Sequence, residues 1–224
     1  MDWKELLTHV DHTLLKPEAR WEDIRRIVDE GIHYGCASVC IPASYVSQAA
    51  QYAQGQVPIC TVIGFPLGAM STGAKAAEAA LAVKDGAQEL DMVIHTGMAK
   101  SGNWDYVKKD IKAVVQAAEG RALVKVILET CLLTDEEKEK ACLAAKEAGA
   151  DFVKTSTGFS TGGATVDDIR LMRRTVGPEM GVKASGGIRC LADVQAMVEA
   201  GADRIGTSAG IRIAEEQALS GEKS

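Results

Sequence analysis

Residues 147–156 read EAGADFVKTS, and residues 199–208 read EAGADRIGTS. Each stretch reads as the last turn of a helix, a Gly stop and the start of a short apolar strand, since Gly is the preferred residue just past a helix. A weaker third copy, DGAQELD, stands at 85–91. The first two copies lie 52 positions apart, room for two strand–helix units of 26 residues, and 224 residues spread over eight units leave 28 each. Eight βα units of that length are what a small (β/α)8 barrel needs.

Working outward, short apolar runs alternate with longer amphipathic stretches. The runs at His9–Leu14, Ala37–Ile41, Ile59–Ile63, Glu89–Ile94, Leu123–Leu128, Phe152–Ser156, Gly181–Ala184 and Arg204–Thr207 are the candidate strands. Several are apolar almost throughout, as parallel strands covered on both faces are. Between them, Trp21, Ile24, Ile27 and Val28 form a helical stripe, as do Val107, Ile111, Val114, Val115 and Ala118. Thr134 with Glu137 is a capping-box pattern opening a helix that stops at Gly149, and Thr165 with Asp168 opens one that stops near Gly177. Helices near Ser44–Gln54, Gly73–Gly86 and Leu191–Gly201 complete the alternation. No linker or low-complexity stretch interrupts it, so residues 1–224 are expected to form one α/β domain, a single-domain (β/α)8 TIM barrel. An open doubly wound sheet fits less well, because no G-x-G-x-x-G follows the first strand.

Composition narrows the partners. Apolar residues make up 46% and charged residues 25%, with 25 Lys+Arg against 31 Asp+Glu, a net charge of −6. No basic run offers a footprint for nucleic acid. The longest uninterrupted apolar runs, Ala79–Val83 and Ala141–Ala145, are five residues, against about 20 for a membrane span. The acidic start, MDWKE, carries no signal-peptide pattern, and the six cysteines show no C-x-x-C pair. Reduced, mostly buried thiols in a cytoplasmic protein are the expectation. A homo-oligomer, with a dimer favoured, follows from the commonness of C2 assemblies. His9, His12, His33 and His95 show no metal-ligand spacing, and neither a G-x-S-x-G elbow nor a P-loop is present. No metal and no cofactor are expected.

Four consecutive candidate strands each carry a charge inside a hydrophobic run: Asp91 in ELDMVI, Lys125 in LVKVIL, Lys154 in FVKTS and Lys183 in GVKASGG. A single strand lysine can snorkel to solvent from a strand end. Three of them beside a carboxylate, on strands about 4.8 Å apart, point instead to a buried charge cluster, which is more often functional. A free lysine titrates at about 10.4 and is a poor nucleophile at neutral pH. Burial and a neighbouring cation both favour the neutral amine. Such an amine can form a Schiff base with a carbonyl substrate, and a carboxylate such as Asp91 can move protons. Three strand ends then run into small-residue turns: Thr155-Ser156-Thr157-Gly158, Ser185-Gly186-Gly187 and Gly206-Thr207-Ser208-Ala209-Gly210. Such turns can nest an anion, and the loops after barrel strands 7 and 8 commonly bind phosphate. Cys40 ends a strand and is either a site-lining or a buried structural thiol.

These segments together resemble the deoxyribose-phosphate aldolase family, class I aldolases with a (β/α)8 barrel. The resemblance is carried by DHTLLKPEA at 11–19, ASVCIP at 37–42, TVIGFPLGA at 61–69, ELDMVI at 89–94, VKVILET at 124–130, DFVKTSTGFSTGGAT at 151–165, VKASGGIR at 182–189 and DRIGTSAG at 203–210. It implies Lys154 as the Schiff-base lysine, Lys183 as the lysine that depresses its pKa, and Asp91 as a carboxylate relaying protons through a water. It further implies Lys125 near that network, phosphate-cradling turns with Thr157, Gly158, Gly186, Gly187, Gly206 and Ser208, and Cys40 as a site-adjacent thiol. The implied substrates are a small phosphorylated sugar, 2-deoxy-D-ribose 5-phosphate, and acetaldehyde, in deoxyribonucleoside catabolism. A related Schiff-base aldolase or thiolase on another phosphorylated sugar, or an idle sugar-phosphate-binding barrel, are the alternatives. The chain departs from the common family pattern at His95-Thr96, where Asn-Val is usual, at Ala209, where Ser is usual, and in a GEKS terminus without the tail Tyr of many members.

Overall fold

In each short strand the side chains alternate between two environments, and this alternation builds the molecule. The computed structural model describes residues 3–221, with side chains described for residues 4–216. Eight strands form a closed, all-parallel barrel in sequence order: β1 (Val10–Thr13), β2 (Ser38–Ile41), β3 (Ile59–Ile63), β4 (Glu89–Val93), β5 (Leu123–Ile127), β6 (Phe152–Lys154), β7 (Gly181–Ser185) and β8 (Arg204–Thr207). All eight expected strands are present, with ends shifted by no more than two residues.

Leu90 and Met92, Val124 and Val126, Val153, and Val182 and Ala184 lie in one large apolar cluster with Ile111, Val114, Cys142 and Ile169 of the helices. The main hydrophobic core is therefore the shell between barrel and helices. The alternate positions turn into the barrel. There Cys40, Cys60 and Val62 form a separate small cluster with Leu15 and Phe65, and a set of buried charges fills the lumen beside it, with Ser38 donating to Asp11 at 2.8 Å. Parallel register sets Asp91 beside Lys125, Lys154 beside Lys183, and Lys183 beside Arg204.

The helices that cover the barrel are α2 (Trp21–Tyr34), α3 (Val46–Ala53), α4 (Thr72–Lys84), α6 (Trp104–Ala118), α7 (Asp135–Ala148), α8 (Val166–Val176), α9 (Leu191–Glu199) and α10 (Gly210–Gly221), with short α1 (Trp3–Leu7) and α5 (Thr96–Lys100). The Thr134–Glu137 capping box forms in both directions. Thr165 caps α8 by accepting from the Asp168 amide, while the Asp168 carboxylate pairs with Lys138. Helices α1, α5 and α10 lack a capping-box signal and are additions to the sequence reading. The largest consequence is at α10, because it opens directly from the last glycine-rich turn.

Outside the barrel, Lys75 of α4 is completely buried and donates to Asp110 of α6 at 2.6 Å and to the Val93 carbonyl at 2.8 Å. It ties two helices to the end of β4. No helix among the described residues is long and apolar enough to cross a membrane.

Candidate active site

The lumen holds an ion-pair network more extensive than the four charges expected from sequence. Asp91 is completely buried and accepts from Lys154 at 2.7 Å and Lys183 at 2.6 Å on one oxygen, and from Lys125 at 2.9 Å on the other. Lys183 also pairs with Asp11. Lys125 pairs with Glu89 at 2.5 Å, and Arg204 bridges Asp11 at 2.5 Å and Glu89 at 3.1 Å. Glu89 and Arg204 escaped the residue-level reading because each opens a strand, where a charge ordinarily reaches water, and Asp11 because its short strand VDHT is polar after Val10 and no apolar run sets it off. Their only sequence signal was membership of the motifs at 11–19, 89–94 and 203–210.

Unpaired charges this deep would cost several kcal/mol each, so the pairing sets the charge states. Burial opposes ionisation of Asp91, but Lys125, Lys154 and Lys183 outweigh it and hold the carboxyl well below the usual range. Burial likewise opposes the Lys183 charge, but Asp11 and Asp91 outweigh it and hold Lys183 an ammonium, well above the ordinary lysine range. Burial also opposes the charge on Lys125, and Asp91 leads the groups that outweigh it.

Above this layer, at the C-terminal ends of the strands, lies a cavity of about 350 Å³. Lys154 is the one lysine of the buried network that lines it. The rest of the wall comes from the end of β1 and the loop after it (Thr13 to Lys16), the turn after β6 (Thr157 to Phe159), the end of β7 and its turn (Ser185 to Arg189) and the end of β8 and its turn (Gly206 to Ala209). Of the expected binding residues, Thr157, Gly158, Gly186, Gly187, Gly206 and Ser208 all reach this wall. Lys16 and Arg189 join them, and both were missed at the sequence level except as parts of quoted motifs.

Local chemistry explains the wall's shape. Gly186 and Gly187 have φ of 84° and 79°, a left-handed conformation open to Gly. Gly163 packs against the same turn, and the Ala164 amide donates to the Ser185 and Gly186 carbonyls at 3.0 Å. Thr157 donates its hydroxyl to Glu129, a buried carboxylate, and accepts from the Phe159 amide at 3.0 Å. Phe159 in turn meets Phe65 edge-on at 5.2 Å, joining the loops after β6 and β3. Gly206 is required by close approach: a Cβ there would stand 2.2 Å from Ser185 Oγ and 2.9 Å from Lys183 Cε. Ser185 Oγ is buried at the wall and has no partner within the protein. The N-terminus of α10 follows the β8 turn, a place where backbone N–H groups favour an anion.

Lys125 and Cys40, expected among the substrate contacts, are not on the cavity wall. Lys125 points to the opposite half of the lumen, where three carboxylates surround it. Cys40 is completely buried beside Cys60. A hydrogen bond from Cys60 lowers its pKa, while Cys60 is pushed well up by burial. His95 also stands away from the cavity wall: its Nδ1 caps α5 by accepting from the Met98 amide at 3.3 Å, and its ring packs edge-on against Tyr106 at 5.6 Å. The GEKS tail falls outside the described residues beyond residue 221. The carboxylates of the Cys40, Cys60, Asp91 and Asp11, Cys60, Glu89 groupings, which have metal-like proximity, are occupied by lysine and arginine donors.

The sequence of residues 6–215 matches the model of the DeoC/LacD family aldolases. The chain belongs to that family. Curated relatives include the deoxyribose-phosphate aldolase of Enterococcus faecalis, 61% identical over 93% of this chain and 96% of that protein. That of Streptococcus mutans is 60% identical over 92% and 94%. Among solved structures, a tetrameric deoxyribose phosphate aldolase from Aeropyrum pernix superposes with a TM-score of 0.90 at 37% identity, covering 96% of this chain and 92% of that one. The chain is thus an aldehyde-lyase of this family, with the buried lysines and the cavity carried on its closed barrel.

Proposed function

We propose that this aldolase reversibly cleaves 2-deoxy-D-ribose 5-phosphate to acetaldehyde and D-glyceraldehyde 3-phosphate through a Schiff base on Lys154. The observation that carries the reading is that Lys154 alone among the buried network's lysines opens onto the cavity, 2.7 Å from Asp91. The neutral amine adds to the C1 aldehyde and water leaves, forming an iminium. The C3 hydroxyl gives up its proton, the C2–C3 bond breaks, and its electron pair passes into the iminium as an enamine. Glyceraldehyde 3-phosphate departs. Protonation of the enamine carbon and addition of water then release acetaldehyde and the free lysine.

Asp91 is completely buried, so its proton traffic with substrate would pass through Lys154 or an entering water. Lys183, held as an ammonium, supplies a fixed positive charge beside Lys154. The dianionic phosphate fits the far wall, where Gly186, Gly187, Ser208 and the start of α10 offer backbone N–H groups and Lys16 and Arg189 offer charge. Ser185 Oγ, unpartnered at the wall, is available to a substrate oxygen.

The single-domain organisation over 1–224 rests on the closed eight-stranded barrel. A cytoplasmic enzyme is supported by six free thiols, and a homodimer by the general prevalence of two-fold assemblies. The decisive experiment is borohydride reduction in the presence of 2-deoxy-D-ribose 5-phosphate, followed by peptide mass spectrometry. A reduced adduct on Lys154, absent in Lys154→Ala, is the expected result. An adduct only with a longer phosphorylated sugar would point to a related aldolase, and no adduct with any carbonyl would leave a sugar-phosphate-binding barrel.

A further inference from the structure

The lumen network closes on itself with an uneven count. Three carboxylates, Asp11, Glu89 and Asp91, face four cations, Lys125, Lys154, Lys183 and Arg204. With Lys154 protonated the cluster carries one surplus positive charge, and with Lys154 neutral it balances. In a low-dielectric interior an unbalanced charge is costly. Lys154 is the cation held least: the other three are each shared between two or more carboxylates, whereas Lys154 pairs with Asp91 alone. Glu89 and Arg204 meet at the far side of this cluster, paired to each other at 3.1 Å, and neither lines the cavity.

We propose that Glu89 and Arg204 are positioning residues for the Schiff-base lysine: with Asp11 they set the net charge of the lumen, and through it the pH at which Lys154 becomes a free amine. This rests on the Schiff-base reading above. The titratable and charged groups that share the lumen with Lys154 are Asp91 and Glu89 from β4, Lys125 from β5, Lys183 from β7, Asp11 from β1, Arg204 from β8, and the Cys40 and Cys60 thiols from β2 and β3. Glu129 after β5 is bonded to Thr157, while Lys16 and Arg189 stand on the cavity wall. Of these, Glu89 and Arg204 are the pair whose removal changes the lumen charge without touching the bond partners of Lys154. Deleting a carboxylate makes the surplus larger, and Lys154 sheds its proton at lower pH. Deleting a cation removes the surplus, and Lys154 keeps its proton to higher pH. Opposite shifts from two neighbours in one network are not what lost packing produces.

The test is the pH profile of kcat/KM for cleavage of 2-deoxy-D-ribose 5-phosphate, which reports groups of the free enzyme. It is run in Glu89→Gln, Arg204→Met, the double variant and Arg204→Lys, with Lys154 adducts scored by borohydride trapping in each. The expected result is an acidic limb moved down by about one pH unit in Glu89→Gln and up by about one in Arg204→Met, the size of one charge removed in a protein interior. The double variant returns to the wild-type profile, and Arg204→Lys keeps it. If Arg204→Met fails to fold, Glu89→Gln and the double variant still decide, since a gain in relative rate below neutral pH must appear in the first and vanish in the second. Limbs that stay in place while the rate drops at every pH would overturn the inference with the adduct intact. A missing Lys154 adduct in the unaltered enzyme would instead overturn the Schiff-base reading beneath it.

Discussion

Replacing Lys183 by Met tests the electrostatic core of the site. Lys183 and Lys154 donate to the same oxygen of Asp91 at 2.6 and 2.7 Å. Two nitrogens on one oxygen are separated by at most about 5 Å, and unit charges at that spacing repel by about 3 kcal/mol at an effective dielectric of about 20. That repulsion corresponds to about two pH units on the release of a proton from Lys154. The variant also leaves Asp11 and Asp91 one cation short, and both carboxylates then favour a protonated Lys154, so the two effects share a sign. Lys183→Met should therefore lose about 100-fold in cleavage rate at pH 7, and the deficit should narrow about tenfold per pH unit on going alkaline. The assay is steady-state cleavage of 2-deoxy-D-ribose 5-phosphate from pH 6 to pH 10, with unfolding monitored at each pH. A loss that stays constant across that range, in a folded protein, would refute the argument and assign Lys183 a direct contact with the reacting atoms.

Three further outcomes follow from the same structure. Asp11 and Asp91 are both held below the usual carboxylate range, burial opposing and the lumen lysines outweighing it. Their stabilisation is complete above the unfolded value of about 3.9 and is lost as pH falls below it, so the melting temperature should hold from pH 7 to 5 and drop steeply below 4, less steeply in Asp11→Asn; a flat acid profile would contradict the pairing. Among the cysteines only Cys131 and Cys190 are exposed, while burial pushes Cys36 and Cys142 up to about 12; a thiol reagent at pH 8 should modify two of six cysteines in the folded protein and all six in denaturant. Lys75→Met strands the buried Asp110 carboxylate, one oxygen of which already lacks a partner, and should cost about 3–5 kcal/mol by urea unfolding, most of it recovered in Lys75→Met/Asp110→Leu.

Much of the site was readable one residue at a time. Lys154, Lys183 and Asp91 stood out because a charge inside a Val/Ile-rich run has no ordinary place in a doubly covered strand. The glycine-rich turns stood out because their residues permit close backbone approach. Lys125 was visible for the same reason as the other lysines, yet its task could not be read. Whether a strand lysine faces the cavity or the far half of the lumen depends on barrel stagger, which shifts one strand's charge along the axis relative to its neighbour's. Cys40 left two readings open for a related reason: a thiol near a strand end meets substrate or another thiol depending on what the adjacent strand presents, here Cys60.

The sequence alone determined the eight-fold strand–helix alternation, the capping of α7 and α8, and the presence of a carboxylate and three lysines inside four consecutive apolar strands. These are local properties, set by periodicity and by the cost of burying a charge. The tertiary structure alone decided that Asp11, Glu89 and Arg204, from the first, fourth and eighth strands, close the charge balance around Lys154. Only barrel closure brings β1 against β8, and electrostatic coupling in a dry lumen depends on distance through space and on nothing that spacing along the chain can encode.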